Sequence, residues 1–235
     1  MSEPAVSVAF FDPANGLHGS ARAGVSLLFE GAQSTALPHG PELEREGERW
    51  RATVADGFTV ELEPISDAVE LAGAASTLCR VTGTAAGRDV DGLGTVTETH
   101  APPSWDELDA LRGISAIFDG GHALLAVARR PRGAVGHDAE RVEAVILEEG
   151  APLAVETAHL STVYDGEGRQ RSAGLELWLP GEDFPRRAFG TVAGGTTLQL
   201  EQLRVNASIF SWRMEGRTGA GAYDLVVRDQ PPVAA

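Results

Sequence analysis

Arg22-Ala-Gly-Val-Ser-Leu-Leu-Phe-Glu-Gly31 returns past the middle of the chain as Arg112-Gly-Ile-Ser-Ala-Ile-Phe-Asp-Gly120, one residue shorter and otherwise matched or conservatively changed. A second repeat closes each half: Gly87-Arg-Asp-Val-Asp-Gly-Leu-Gly94 resembles Gly216-Arg-Thr-Gly-Ala-Gly221, and each runs into a strand-like stretch. The interval is too long for a solenoid repeat. The repeats therefore predict an internal duplication, either as two similar β domains or as two halves of one pseudosymmetric barrel.

Strand patterns dominate the rest of the chain. Phe58-Thr-Val-Glu-Leu-Glu63 and Gly174-Leu-Glu-Leu-Trp-Leu179 alternate apolar and polar residues, and glycine-rich turns separate such segments. The spacing predicts an all-β fold, an antiparallel sandwich or barrel. One short helix is expected from Ser104, with Glu107 completing a capping box. We place a domain boundary here, which gives an N-terminal domain over 1–101 and a C-terminal domain over 102–235, and we expect the tail from Gln230 to be frayed.

Composition excludes several classes of function. The chain has 235 residues and a net charge of −15, and all 19 basic residues are arginines. Without lysine there is no Schiff-base chemistry and no P-loop. The acidic balance argues against nucleic acid and against an anionic membrane surface. A single cysteine, Cys79, fits a reducing compartment, and the start of the chain has no signal-peptide pattern, so we expect a cytoplasmic protein with no membrane span.

Three sequence features together resemble one family. They are Phe-Asp-Pro-x-x-Gly-Leu-x-Gly at Phe11 to Gly19, Glu98-Thr-His100 followed by Ser104-Trp105, and the closing Gly-Arg-x-Gly-x-Gly. The chain resembles the lipocalin-like double-domain family of carotenoid hydratases (hydroxyneurosporene synthase-like) and related cyclases, including Diels-Alderases. The resemblance implies two lipocalin-like β-barrel halves, an apolar pocket and acid-assisted or template catalysis on isoprenoids and polyketides. The family's Asp-His-Ser-Trp-Gly turn is altered here, because Pro102 follows Ala101 and the tryptophan is displaced to position 105.

Glu98 and His100 are the predicted catalytic residues. They stand two apart on a strand, so both side chains can face the same side. A buried carboxyl keeps its proton more readily and could protonate an alkene, with the imidazole as the base. The alternative is a polar pair at a strand end that faces solvent.

Four further residues are predicted to bind substrate: Trp105, His18, Arg112 and Phe118. Trp105 could line a pocket mouth, although a hydrophobic staple is the alternative for it. Arg22 and Arg112 begin the repeated stretches and could each pair with a structural carboxylate or bind a carboxylated ligand. The histidines lack the spacing of a zinc site, and no metal or cofactor is expected.

These features predict a cofactor-independent enzyme that binds a hydrophobic polyketide or isoprenoid and promotes its cyclisation or hydration. The alternatives are a non-catalytic carrier or sensor of a lipophilic molecule, and a structural protein whose interior is filled by its own side chains. A homodimer is left open.

Overall fold

The computed structural model describes residues 4–135 and 139–228, and every regular element in them is a strand. The tail from Gln230, for which fraying is expected, lies outside these residues. The strands form two antiparallel sheets, one from each half of the chain. An all-β architecture of two similar curled sheets is confirmed.

The first sheet has ten strands: β1 (Ala5–Asp12), β2 (Leu17–Arg22), β3 (Val25–Glu30), β4 (Gln33–Leu37), β5 (Glu42–Glu46), β6 (Arg49–Val54), β7 (Phe58–Pro64), β8 (Val69–Leu71), β9 (Ala74–Ala85) and β10 (Arg88–Thr99). Their order across the sheet is β4-β3-β2-β1-β10-β9-β7-β6-β5, and β8 pairs with β9 beside this path. The first strand therefore lies between the second and the last, which curls the sheet back on itself.

The second sheet has nine strands: β11 (Leu108–Ile117), β12 (Ala123–Pro131), β13 (Arg141–Glu148), β14 (Ala151–Ala154), β15 (Thr157–Tyr164), β16 (Gln170–Trp178), β17 (Arg186–Leu200), β18 (Leu203–Met214) and β19 (Arg217–Arg228). Their order is β14-β13-β12-β11-β19-β18-β17-β16-β15. Without β8 the two orders correspond strand for strand, so the predicted duplication is confirmed at the level of topology.

The two sequence repeats differ in what they match. The closing repeat is correct, because its Gly-x-Gly parts, Gly92 to Gly94 and Gly219 to Gly221, lie in β10 and in the equivalent β19. The first repeat joins unlike strands: the segment from Arg22 spans the end of β2 and all of β3, whereas Arg112 to Ile117 lies in β11, the equivalent of β1. Short stretches of apolar residues that end in Asp-Gly or Glu-Gly occur in different strands of the fold, so such segments resemble one another without being equivalent.

The closing repeat encodes a close approach of two backbones. A Cβ on Gly94 would collide with the carbonyl oxygen of Ala9 in β1, and a Cβ on Gly221 with that of Ser115 in β11. Only glycine fits where neighbouring strands come this close. The motif therefore records the same packing requirement in both sheets.

Three apolar clusters stabilise the fold. One fills the first sheet around Phe10 and Phe58, whose rings meet edge to face at 5.1 Å, and one fills the second sheet around Trp212 and Tyr223. The third joins the two sheets and includes Phe29 and Leu125. Because large side chains fill the interior of each curled sheet, the openings that matter for function lie at the sheet ends and between the sheets.

The predicted helix is wrong. Ser104 to Glu107 form a turn, closed by the Glu107 N–H donating to the Ser104 carbonyl oxygen at 3.0 Å, and β11 begins at Leu108. Isolated short helices are costly to nucleate, and Leu108, Ala110 and Arg112 also fit a strand with alternate burial. The predicted boundary between residues 101 and 102 falls in this connection, and the division into two separate domains stays a prediction.

Candidate functional site

Glu98 lies near the end of β10, in an open cleft of about 740 Å³ that is lined by the first sheet and by residues 149–152 of the second half of the chain. Its side chain is 29% exposed, and Oε1 lies 3.8 Å from Arg45 Nη1. The Arg45 guanidinium in turn covers the Trp50 ring, 5.0 Å from its centroid. Glu98 is therefore already partnered by a cation held in place by cation–π attraction.

The cleft is polar and carries excess negative charge. Four carboxylates, those of Glu48, Asp67, Glu98 and Glu149, line it with one arginine, Arg45. Such a lining disfavours an anionic ligand. Cys79 lies at the buried base of the cleft, and burial raises the pKa of its thiol to about 12, so it is an inert core thiol.

His100 does not join Glu98 in the cleft. It follows the end of β10, its side chain is exposed, and its backbone N–H donates to the Gly73 carbonyl oxygen at 3.0 Å. His100 is absent from the cleft lining. The acid and base roles assigned to this pair stay predictions.

Trp105 and Phe118 pack against different apolar clusters. Trp105 is half-buried against the cluster between the sheets, and its carbonyl oxygen accepts a hydrogen bond from Arg228. Phe118 packs on the interior of the second sheet, beside His122 and Met214, at a gap of only about 10 Å³. That gap is the size that holds a single water molecule.

His18 is buried in β2, with its ring centroid 6.0 Å from that of Phe11. Burial lowers the pKa of its imidazole, and the nearby charge of Asp12 offsets part of that effect. Its Nδ1 is buried and has no hydrogen-bond partner. The residue belongs to the buried interior, and it lines neither the cleft at Glu98 nor the cavity between the two sheets.

Arg112 is buried inside the second sheet and pairs with a carboxylate, that of Glu140. Its Nε and Nη2 donate to the Tyr164 hydroxyl at 3.2 and 3.1 Å. Next to them the hydroxyls of Thr162 and Tyr223 share a hydrogen bond of 2.6 Å. These contacts fit the structural alternative for Arg112, in which it pairs with a carboxylate. They form a cluster of polar side chains inside the second sheet.

A cavity of about 260 Å³ lies between the two sheets. Strands β1, β2, β9 and β10 supply one wall, and β11, β12 and β19 supply the other. Leu71, Leu125 and Val127 contribute apolar surface. Six residues with hydroxyl groups also line it: Ser7, Ser20, Ser76, Thr95, Thr97 and Ser115.

Two charged residues face each other across this cavity. Asp224 of β19 and Arg22 of β2 approach to 3.7 Å, with side chains 32% and 38% exposed. Among the lining residues that the structure describes, they are the only charged ones. Burial raises the pKa of the Asp224 carboxyl, and Arg22 offsets part of the rise.

Small neighbours keep Asp224 uncovered. Its cross-strand partners are Gly113 in β11 and Ala207 in β18. A Cβ on Gly113 would meet nothing within 4 Å, so the space beside the carboxyl is open. The cavity therefore holds an acid with a raised pKa, a cation, hydroxyl groups and apolar walls.

Sequence reasoning missed Asp224 although it identified its strand. The signal was available, because a lone aspartate interrupts the apolar run from Tyr223 to Val227, and aspartate is depleted in strands. The repeat gave Arg22 a structural carboxylate as one alternative, and that carboxylate lies in the other half of the chain.

Comparisons with known proteins place the fold. No protein-family model matches the sequence, and no curated protein matches it. Among solved structures, kievitone hydratase from Nectria haematococca matches with a TM-score of 0.62 and 11% identity, covering 97% of this chain and 89% of that one. A protein from Nitrosomonas europaea assigned as AttH matches with a TM-score of 0.60 and 15% identity, covering 95% and 92%. The chain shares the fold of these two structures, a duplicated lipocalin-like arrangement of two curled antiparallel sheets.

Residues 4–135 and 139–228 contain neither a cluster of metal-binding side chains nor a membrane-spanning helix. No group of three or more histidine, cysteine, aspartate or glutamate side chains there could hold a metal ion. No helix in that part of the chain is long and apolar enough to span a membrane.

Proposed function

We propose that the chain is a cofactor-independent enzyme of the hydratase or cyclase type, and that Asp224 is its general acid in the cavity between the sheets. The observation that carries the proposal is a partly buried carboxyl that lies 3.7 Å from Arg22 and faces a hydroxyl-lined cavity between the sheets. Burial raises the pKa of this carboxyl. A fold shared with a hydratase supports it. The substrate would be an unsaturated polyketide or isoprenoid, and the protein would be cytoplasmic, as its lone cysteine suggests.

The chemistry requires one proton transfer to carbon. The protonated Asp224 carboxyl donates to one carbon of a double bond, and the adjacent carbon becomes cationic. Water captures that cation in a hydration, or a nucleophile of the same molecule captures it in a cyclisation. The nucleophile then loses a proton, which restores the acid. General acid catalysis of this kind contributes about 10²–10⁴-fold.

The lining residues would orient the substrate. Ligand pockets for drug-sized molecules usually measure roughly 300–1,000 Å³, and this cavity of about 260 Å³ is slightly smaller. The reacting end of a longer molecule, or a small molecule as a whole, fits it. Serine and threonine hydroxyls can hold the attacking water, while Leu71 and Leu125 contact the hydrocarbon.

The test is turnover of a panel of unsaturated isoprenoids and polyketides in deuterated water. Mass spectrometry detects the gain of one water or a rearranged isomer, and deuterium on carbon reports the protonation. We expect the wild type to label at least one compound and Asp224→Asn to lose that activity. Retained labelling by Asp224→Asn together with its loss in Glu98→Gln would move the site to Glu98 and His100.

The second candidate is a non-catalytic carrier or sensor of a lipophilic molecule. The Arg22–Asp224 ion pair favours this second candidate, because an ion pair that links the two sheets can have a structural role instead of a catalytic one. A carrier would retain a co-purifying ligand and leave it unchanged. Organic extraction after native mass spectrometry identifies such a ligand.

A further inference from the structure

We propose that the substrate carries an acidic oxygen, such as a carboxylate, that binds Arg22, releases Asp224 from its ion pair and causes Asp224 to take up a proton. This inference rests on the proposed function for the identity of the acid. It adds the substrate class, an anionic hydrophobic molecule, and a means by which binding prepares the acid for catalysis.

The ion pair is loose enough to be exchanged. The nitrogen–oxygen distance of 3.7 Å exceeds a normal hydrogen bond. Each side chain remains about one-third exposed, and Arg22 is the last residue of β2. A guanidinium with free donors can bind a carboxylate through two parallel hydrogen bonds, which is a better contact than the one it makes with Asp224.

No other cavity residue could substitute for Arg22. Facing the pair, β1 supplies Ser7 and Ala9, β9 supplies Ala74 and Ser76, β10 supplies Thr95 and Thr97, β11 supplies Gly113 and Ser115, and β12 supplies Leu125 and Val127. None of these side chains titrates in the ordinary range of pH. Within residues 4–135 and 139–228, Arg22 is therefore the one cation of the cavity lining that an anion can bind.

Binding an anion at Arg22 changes the protonation equilibrium of the Asp224 carboxyl. Burial favours the neutral carboxylic acid, and Arg22 is the charge that opposes this effect. Once a ligand carboxylate neutralises Arg22, burial acts without opposition, and the Asp224 carboxylate binds a proton from solvent. The ligand remains anionic, and one proton enters with it. A neutral ligand leaves the ion pair intact and brings no proton.

Isothermal titration calorimetry with trans-cinnamate tests the inference. Cinnamate is a small apolar carboxylate with a double bond, and cinnamamide is its neutral match. Titrations in buffers of different ionisation enthalpy, between about pH 5 and 8, give the number of protons bound with each ligand. We expect up to about one proton taken up with cinnamate and none with cinnamamide.

Variants separate the two charges. Asp224→Asn should bind cinnamate without proton uptake, and Arg22→Gln should bind it about tenfold more weakly or worse, as expected when a charged partner is lost. Arg22→Lys keeps the charge and should restore uptake. Circular dichroism confirms folding, because an exposed ion pair contributes little to stability.

The outcomes are distinguishable from those of the proposed function. Absence of cinnamate binding to the wild type, binding without proton uptake at every pH, or unchanged binding by Arg22→Gln would overturn the inference. In those cases the loss of turnover in Asp224→Asn could still support the acid role. Proton uptake with retained turnover in Asp224→Asn would support the binding switch and reject the proposed function.

Discussion

The cleft at Glu98 and the cavity at Asp224 each pair one acid with one arginine, and their surroundings differ. In the cleft, Glu98 and Arg45 share their space with three more carboxylates and open to solvent. In the cavity, Asp224 and Arg22 are the only charged residues in the described part of the lining, and hydroxyl and apolar groups surround them. The two carboxylates are exposed to similar extents, at 29% and 32%.

Exposure alone therefore does not identify an acid suited to catalysis. A carboxyl gains a raised pKa from a low-polarity environment with few compensating charges. Asp224 has such an environment, between two sheets and beside Gly113. Glu98 was predicted from its place in a motif, and a motif does not specify what packs around a residue.

The largest expected effect is on turnover. Asp224→Asn should lower the rate for any compound labelled in deuterated water by about 10²–10⁴-fold, because asparagine cannot donate a proton to carbon. Glu98→Gln should change it only a few-fold, which is the matched control in the cleft. Equal losses in both variants would remove the distinction between the two openings.

The next effect concerns the wall that carries Asp224. Gly221→Ala should lower the free energy of unfolding by about 1–3 kcal/mol, since its methyl group collides with the Ser115 carbonyl oxygen. Gly113→Ala, in the adjacent strand, should stay within about 0.5 kcal/mol. Urea unfolding measures both. A neutral Gly221→Ala would contradict the close approach of β11 and β19.

Filling each opening should affect binding differently. Gly113→Leu places a side chain beside Asp224 and should weaken cinnamate binding about tenfold, equivalent to about 1.4 kcal/mol. Ala151→Leu fills the cleft instead and should leave binding unchanged. Calorimetry provides the comparison. The reverse pattern would assign the ligand to the cleft.

The smallest expected effect is on the pH dependence of the free energy of unfolding. Because the folded-state pKa of Asp224 is raised, the folded protein binds more protons than the unfolded chain, and stability falls as pH rises from the ordinary aspartate pKa through the raised one. Asp224→Asn removes this cost and should gain about 0.5–1 kcal/mol near neutral pH and nothing in acid. Thermal melts across pH measure the gain.

Asp12 is the matched control, because the pKa of its carboxyl is lowered whereas that of Asp224 is raised. Burial alone would raise the pKa of Asp12, but hydrogen bonds from the Asn15 side chain and from the Asp91 and Asn15 backbones hold it below its ordinary value. The Asp12 carboxylate therefore stabilises the folded protein above the ordinary aspartate pKa. This stabilisation is lost as pH falls through the lowered pKa. Asp12→Asn should therefore destabilise the protein near neutral pH. Destabilisation by Asp224→Asn of the same size would contradict the difference between the two carboxyls.

The sequence predicted the features that depend on local pattern. Alternation identified β7, where Phe58, Val60 and Leu62 are buried, and the closing glycines identified the duplication. The helix at Ser104 was wrong because capping signals occur in turns as well as at helix starts. The first repeat was misaligned because short apolar stretches that end in Asp-Gly or Glu-Gly occur in different strands.

The candidate site could not be predicted in the same way. Arg22 and Asp224 come from different halves and meet only through the packing of one sheet on the other. No periodicity within a strand specifies which residue of the other sheet it will face. The unusual aspartate in an apolar strand indicated a special position, and only the three-dimensional fold identified its partner.

The most direct test is a pH titration of the Asp224 carboxyl carbon by NMR, assigned by its loss in Asp224→Asn and repeated in Arg22→Gln. We predict a midpoint above the roughly 3.9 of a free aspartate, and a further rise when Arg22 is removed. A midpoint at or below the free value, or one unaffected by Arg22, would contradict the assignment of Asp224 as the acid of this cavity.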